Sequence, residues 1–424
     1  MILGIVMVLF LVLLILNVPI GLAMMAPSVL YLAVTPGVQL SVALQRMMGG
    51  VDTFALLSIP LFIFAGNIMN TGSVTDRIFN FADVITRHVR GGLGYANIIA
   101  SVIFAGMSGS ACADAGSLGA IELKAMRDHG YEEEFSLAVT GGSAIIGPIF
   151  PPSMPMIMLA YASGQSLGKL FASGILPGLI MGVTLSIKVY FDCRKKNTET
   201  RKRATFQEVR ESFWKALPCL MMPTLMLLGI YSGIFTPTET AAIVSVYCIV
   251  LALYYKSLSI KSFIQVVKDT ARSSTMIGTI CAGGTLFGYV LSNEQVPQKL
   301  VGLFAENVSA VWVFWLVIIV GFLIAGCFLD DSICTLIVIP MLLPVAAQMG
   351  IHPLHFSLIC VLLLMIGLLT PPVGMVLYVL QGVTTIPFER IAKAVFPYVL
   401  TLLATVIVLI LLPFTATWLP EILF

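Results

Sequence analysis

The chain has 424 residues, of which 58% are hydrophobic and 10% charged, with a formal net charge of +2. A mean hydropathy of +1.01, with well under the ~25% charged content of soluble domains, excludes a soluble globular protein and leaves a polytopic membrane protein. The net charge itself says little and no nucleic-acid partner is expected, while the eight scattered cysteines show neither CxxC nor metal-ligand spacing and read as small apolar packers.

Apolar runs at about 2–16 and 18–35 predict two helices joined tightly at Asn17 and Pro19. With no basic n-region and no small-residue cleavage site, Met1–Asn17 reads as a retained helix, not a signal peptide. A third span is expected at about 53–71, ending at Gly72. Over 74–90, Arg77, Asp83, Arg87, His88 and Arg90 alternate with Ile78, Phe79, Phe81, Val84 and Ile85, the pattern of an interfacial amphipathic helix.

From Leu93 to His129 the chain does not read as one span. Two apolar arms (about 93–106 and 117–128) flank the small, polar run Met107–Gly116, and each is shorter than the ~20 residues a crossing needs. Basic residues lie at both ends, which predicts a re-entrant hairpin with its tip near the midplane. A helix at about 134–163 is interrupted by Ile146-Gly147-Pro148-Ile149-Phe150-Pro151-Pro152-Ser153. Another span (about 170–191) leads into a basic loop at 192–212 containing Arg194, Lys195, Lys196, Arg201, Lys202 and Arg203. No soluble domain of useful size is evident, so capture of a substrate outside the membrane falls to another protein.

The pattern then repeats. Helices are expected at about 213–233, 239–256 and 272–292, a second hairpin at about 308–327 and 333–348, a broken helix at about 353–380 and a last span at about 393–413. Ile366-Gly367-Leu368-Leu369-Thr370-Pro371-Pro372-Val373 matches the first break 220 residues on, in Ile, Gly and both prolines. Residues 1–191 and 213–424 thus read as two repeats joined by the 192–212 linker. Arg77, Arg87, Arg90, Lys124, Arg127, the 194–203 cluster, Lys256, Lys261, Lys268, Arg390 and Lys393 fall on one side in this scheme, Lys169 and Lys299 on the other. The crowded side is cytoplasmic by the positive-inside rule. Five crossings per repeat invert the second repeat and place both termini outside, the plan of an alternating-access transporter.

Proline cannot donate to the carbonyl four residues back, so the breaks free the carbonyls of Gly147, Pro148, Gly367 and Leu368. Free carbonyls in hydrocarbon are costly unless something binds them. They suit Na⁺, while N–H groups at half-helix starts suit a substrate carboxylate. One Na⁺ is expected among Ser108, Gly109, Gly147, Pro148 and Pro151, and another among Asp331, Ser332, Gly367, Leu368 and Thr370. Ser108, Ser110, Ser153 and Asp330 are the candidate substrate ligands, Asp330 because it aligns with Ser110 at the 220 offset. Asp114 is balanced between a functional group at membrane depth and a helix cap. Glu132, Glu133 and Glu134 read as complements to a helix dipole. Gly106-Met107-Ser108-Gly109 also fits the Gly-x-Ser-Gly of intramembrane serine proteases, but all four histidines fall at predicted helix ends. The chain is therefore not read as an enzyme.

Met107–Gly116, Gly130-Tyr131 and Ile146–Ser153 resemble the large membrane subunit of tripartite ATP-independent periplasmic (TRAP) transporters, the DctM-like or SiaM-like family, and the resemblance covers essentially the whole chain. It implies an all-α elevator-type fold similar to the divalent-anion/Na⁺ symporters, in a bacterial inner membrane. It also implies Na⁺-driven uptake of an organic acid delivered by a periplasmic binding protein, with a small four-helix membrane subunit as a separate chain. In members acting on sialic acid, serines at the first tip and after Pro-Pro and an aspartate at the second tip are implicated; these match Ser110 (or Ser108), Ser153 and Asp330. Such residues occur more widely in the family, so they do not establish sialic acid. A stand-alone Na⁺/carboxylate symporter of the same fold is the alternative.

Overall fold

A computed structural model describes residues 2–70, 74–195, 200–307 and 310–424. All regular structure among them is helical. Gly72, Lys196 and the expected start of the second hairpin at 308 lie outside the described residues.

In the first half, α1 (Ile2–Ile15) turns at Asn17, where φ is +60°, into α2 (Ile20–Val34) behind Pro19. A short helix the sequence reading passes over, α3 (Ser41–Gly49), precedes α4 (Ser58–Asn70). The amphipathic stretch forms α5 (Val74–Thr86), with Val74, Ile78, Phe79 and Ala82 buried. The hairpin follows as α6 (Gly92–Ser108), α7 (Ala111–Ala113), a π-helical turn at Asp114–Leu118, and α8 (Gly119–Asp128). The broken helix is α9 (Glu133–Ala144) and α10 (Met154–Ser163), and α11 (Leu167–Lys195) closes the half.

The second half comprises α12 (Phe206–Tyr231), α13 (Pro237–Tyr254), α14 (Ile260–Asn293) and α15 (Val296–Asn307). Its hairpin is α16 (Val311–Phe328), α17 (Asp331–Ile333), a π-helical turn at Cys334–Val338, and α18 (Ile339–Gln348). Its broken helix is α19 (Pro353–Gly367) and α20 (Met375–Gly382), followed by α21 (Phe388–Leu411) and α22 (Phe414–Leu423). Seven described stretches are long and apolar enough to cross a membrane: α11 to α14, α16, Asp331–Gln348 and α21.

Several boundaries differ from the sequence reading. The 192–212 loop is shorter, because α11 runs to Lys195 and a capping box between Thr205 and Glu208 starts α12 at Phe206. α14 begins at Ile260, not 272, because its charged first turns point outward while Ser259 caps them. α15 and α22 were not expected. The first hairpin's arms are longer than read, since the small polar run Ala111–Asp114 is itself helical.

The two halves correspond residue by residue where it matters. Ala111–Ala113, the turn Asp114–Leu118 and Gly119–Asp128 recur 220 residues on as Asp331–Ile333, Cys334–Val338 and Ile339–Gln348. Pro151–Pro152 and Pro371–Pro372 are both cis peptides. Packing between the halves is reciprocal: α4 lies on α13 as α14 lies on α2, and α9 lies on α21 as α19 lies on α11. Likewise α10 packs on the second hairpin's π-turn and α20 on the first's. Small residues permit the closest approaches. A Cβ at Gly21 would stand 2.6 Å from the Thr279 carbonyl oxygen, and one at Gly367 2.6 Å from Gly326 Cα.

Basic residues of both halves gather at one end of the molecule, near the start of α9. Arg201 pairs with Asp83 and its Nη1 lies 3.4 Å from His129 Nε2. Arg87 pairs with Glu208 at 2.5 Å, Arg127 with Glu133 and Arg390 with Glu134. The glutamates read as dipole complements thus also tie α9 to the α8 end and to α21, and Thr384 donates to Glu133 as well.

Candidate functional site

The two hairpin tips face one cavity of about 280 Å³. The first tip contributes Ser108, Ser110 and Ala113, and the second Asp331 and Ser332. Met154 and Met158 of α10 form its side, and Gly66, Asn67 and Asn70 of α4, with Ser273 and Ile277 of α14, form the opposite wall. Asp331 is the one ionisable residue among those lining it.

The first tip is set by Gly109. Its φ is +61°, the left-handed region open to glycine, and a Cβ there would run into the Pro152 carbonyl oxygen. The Met154 N–H donates to Gly109 O at 3.4 Å, which fixes the tip on the start of α10. Ser108 ends α6, and its hydroxyl donates to Asp114 Oδ1. Asp114 is 2% exposed. Its Oδ2 is buried without a hydrogen-bond partner and abuts Gly147, where a Cβ would collide with it. The side chain makes no capping bond, so the cap reading of Asp114 gives way to a buried carboxyl aimed at the break.

Beyond the break, Ser153 is fully buried. Its hydroxyl donates to the Pro148 carbonyl and accepts from Met156 N at 3.2 Å as the N-cap of α10. One of the two carbonyls that the prolines release is therefore met by Ser153, while Gly147 O loses its helical donor at Pro151. Ser153 sits behind the cavity instead of lining it.

At the second tip the two acids divide their roles. Asp330 Oδ1 accepts from Ser332 N at 2.9 Å and caps α17, whereas Asp331, half-buried, lines the cavity. Behind them, Leu368 O accepts from Val376 N at 3.1 Å, the counterpart of the Ser153 contact to Pro148. Thr370 Oγ1 donates to Ile366 O at 3.0 Å. The Thr335 hydroxyl, in the π-turn, is buried without a partner.

The structure therefore brings Ser108, Ser110, Asp331 and Ser332 together around one space. Gly147, Pro148, Pro151, Gly367, Leu368 and Thr370 lie in the two breaks behind it. The scaffold residues Asn67, Asn70 and Ser273 were missed. They are polar groups near the ends of apolar runs, which sequence reasoning assigns to helix ends.

Oxygen atoms that could hold a hard cation lie at the first break: the orphaned Asp114 Oδ2 beside Gly147, and the Ser108 hydroxyl on Asp114 Oδ1. No group of three or more His, Cys, Asp or Glu forms a metal cluster among the described residues. The donor set is thus carbonyl, hydroxyl and single carboxylate, the oxygen ligands that hard cations take.

Comparison with known proteins agrees with this architecture. The family model described as "Tripartite ATP-independent periplasmic transporter, DctM component" matches residues 7–415. The chain is 38% identical over 406 residues to the sialic acid TRAP transporter large permease protein SiaM of Vibrio cholerae, covering 96% of this chain and 95% of that protein. It is 36% identical over 371 residues to the C4-dicarboxylate TRAP transporter large permease protein DctM of Pseudomonas aeruginosa, covering 87% of each. In fold it is similar to the Alcanivorax borkumensis YdaH transporter, with a TM-score of 0.65 at 14% identity over 90% of this chain and 87% of that one. A multi-pass helical protein built on paired hairpins and broken helices, matched over nearly its whole length by these permeases, belongs to the DctM component family of tripartite ATP-independent periplasmic transporters.

Proposed function

We propose that the chain is the large permease subunit of a Na⁺-coupled importer of an organic acid, working by elevator-type alternating access. The observation that carries this is the charge of the cavity. Its lining offers hydroxyls, amides and one carboxyl, with no basic residue. A carboxylate entering beside Asp331 would be repelled unless a cation entered with it. Cations at the two breaks, next to the tips that line the cavity, supply that charge and so make substrate binding depend on Na⁺.

The arrangement also supports movement. If either hairpin crossed the bilayer fully, its tip would lie at a surface, about 15 Å from the midplane of a core ~30 Å thick. Both tips meet α10 and the flank of α4 and α14 in one space, which supports the reading of two re-entrant hairpins. Reciprocal packing of the halves supports two inverted repeats, 1–191 and 213–424, with the hairpins and broken helices sliding on α4 and α14. The basic end is read as cytoplasmic, with both termini periplasmic in a bacterial inner membrane.

Relatives are named for sialic acid, for C4-dicarboxylates and, in Escherichia coli at 34% identity, for 2,3-diketo-L-gulonate; all three are organic acids. The SiaT permease protein of Haemophilus influenzae matches 98% of this chain over only 67% of its own length, which leaves room there for a fused small subunit. We assign this chain a small four-helix membrane subunit and a periplasmic binding protein as partners.

Uptake into proteoliposomes holding this chain and its small subunit tests the reading, with a panel of labelled carboxylates, with and without a Na⁺ gradient and the binding protein. Uptake requiring both is expected. Na⁺-driven uptake without the binding protein would mean a stand-alone symporter, and uptake indifferent to Na⁺ would remove the coupling. In the same assay Ser110→Ala should slow uptake about tenfold or more, the scale of a hydrogen bond to a charged group, and Asp331→Ala should weaken the dependence of uptake on Na⁺. An unchanged rate in Ser110→Ala would place the substrate elsewhere, and an unchanged Na⁺ dependence in Asp331→Ala would remove the charge argument.

A further inference from the structure

A second buried carboxyl lies deeper in the first hairpin. Glu122, on α8, is 0% exposed. Its Oε2 accepts from Thr140 Oγ1 at 3.3 Å, and its Oε1 has no partner. Thr140 Oγ1 in turn accepts from Asn97 Nδ2 at 2.7 Å, Asn97 Oδ1 accepts from Ser143 Oγ at 2.7 Å, and Ser143 Oγ from Ser101 Oγ at 3.0 Å. Five polar side chains on α6, α8 and α9 thus form one chain of donors that ends on the Glu122 carboxyl.

The fold does not need this chain. At the 220-residue offset the same positions carry Leu342, Cys360, Val317, Leu363 and Gly321. One half of the molecule builds these helix contacts from apolar or small residues, and the other builds them around an acid. A buried ion without a counter-charge costs several kcal/mol. The elements packed on Glu122 offer no counter-charge. α6 contributes Asn97 and Ser101, and α9 contributes Thr140. The acids at the start of α9, Glu133 and Glu134, are paired with Arg127 and Arg390. The π-turn brings Asp114, whose charge has the same sign. On α8 itself, Lys124 and Arg127 follow toward the exposed end. From Glu122 to Asp128 is about 9 Å at 1.5 Å rise per residue, close enough to that end for exchange with water during brief openings.

We propose that Glu122 is a proton-binding site carried inside the hairpin body, occupied by H⁺ during transport and separate from the cation sites at the breaks. The proton sits on Oε1, and Thr140 holds Oε2. Ionising the group places an unpaired charge within the moving body and slows it. The proposal rests on the transporter reading for its consequence, though not for the existence of the site.

Two measurements test it. Infrared spectra of the purified full chain should show a protonated-carboxyl C=O band that disappears in Glu122→Gln. Thr140→Val should shift that band, because it removes the hydrogen bond to Oε2, and offers a second handle should Glu122→Gln fold poorly. In proteoliposomes, uptake by the wild type should fall about tenfold per pH unit once Glu122 ionises, while Glu122→Gln, which mimics the protonated form, holds its rate across the same range. An infrared spectrum unchanged by both substitutions would overturn the site. A Glu122→Gln uptake profile that follows the wild type would overturn its role in transport. A band lost in Glu122→Gln without uptake under any condition would support the site and count against the transporter reading instead.

Discussion

Asp114→Asn should lower Na⁺-driven uptake about 100-fold, near 2.8 kcal/mol at 1.4 kcal/mol per tenfold, while the protein remains folded. Asparagine keeps the shape and leaves an oxygen to accept the Ser108 hydroxyl, which now meets Oδ1. What it removes is the negative charge whose Oδ2 is buried, unpartnered and set against the Gly147 break. If that charge holds a cation, the variant needs a much higher Na⁺ concentration for half-maximal uptake, and excess Na⁺ restores part of the rate. The decisive quantity is the Na⁺ dependence. A slow variant with the wild-type Na⁺ dependence would show that Asp114 serves the fold alone, and a variant with the wild-type rate would remove it from the mechanism.

The second large effect is expected at Gly109. Alanine there adds about 1–2 kcal/mol for a left-handed backbone and drives its Cβ into the Pro152 carbonyl oxygen, so the first tip must lift from the start of α10. Uptake should fall to background. Gly130→Ala supplies the control. Gly130 has φ of +74°, and a Cβ added there would meet nothing within 4 Å, so it incurs the backbone strain without the collision. That variant should unfold at a slightly lower temperature and transport at the wild-type rate. Equal activity in the two variants would mean that tip and break need not touch during the cycle.

Much of the architecture was legible because membrane structure is written in apolar run length and in breaks. The paired Pro-Pro motifs, matched at one offset, located both broken helices, and the small polar run 107–116 located the first tip. The amphipathic spacing of 74–90 was equally readable. The π-turns were not, since no residue type encodes a wider turn; both Asp114–Leu118 and Cys334–Val338 are packed against the opposite half. The start of α14 is hidden in the sequence because Lys261 and Lys268 look like a connection, whereas on a helix they share an outward face with Arg272.

At the site, residue type gave the cast and geometry gave the parts. Asp330 and Asp331 are indistinguishable in sequence, and alignment with Ser110 favoured the first. In the structure the helix start takes Asp330 as its cap and turns Asp331 to the cavity. Ser153 follows Pro-Pro as a ligand would, yet its hydroxyl is occupied by backbone on both sides. Asn67, Asn70 and Ser273 carry no motif, and only the fold puts them opposite the tips.

The crossed bracing of the halves has a consequence for biosynthesis. The first hairpin's π-turn is supported by α20, which begins about 260 residues later in the chain. At roughly 5–20 residues per second that support arrives about 13–50 s after the turn is made. Through that interval the π-turn that carries the buried Asp114 carboxyl stands without its partner from the second half. The nascent protein therefore depends on the insertion machinery, or on water held around the turn, to shelter that acid until the second half is complete.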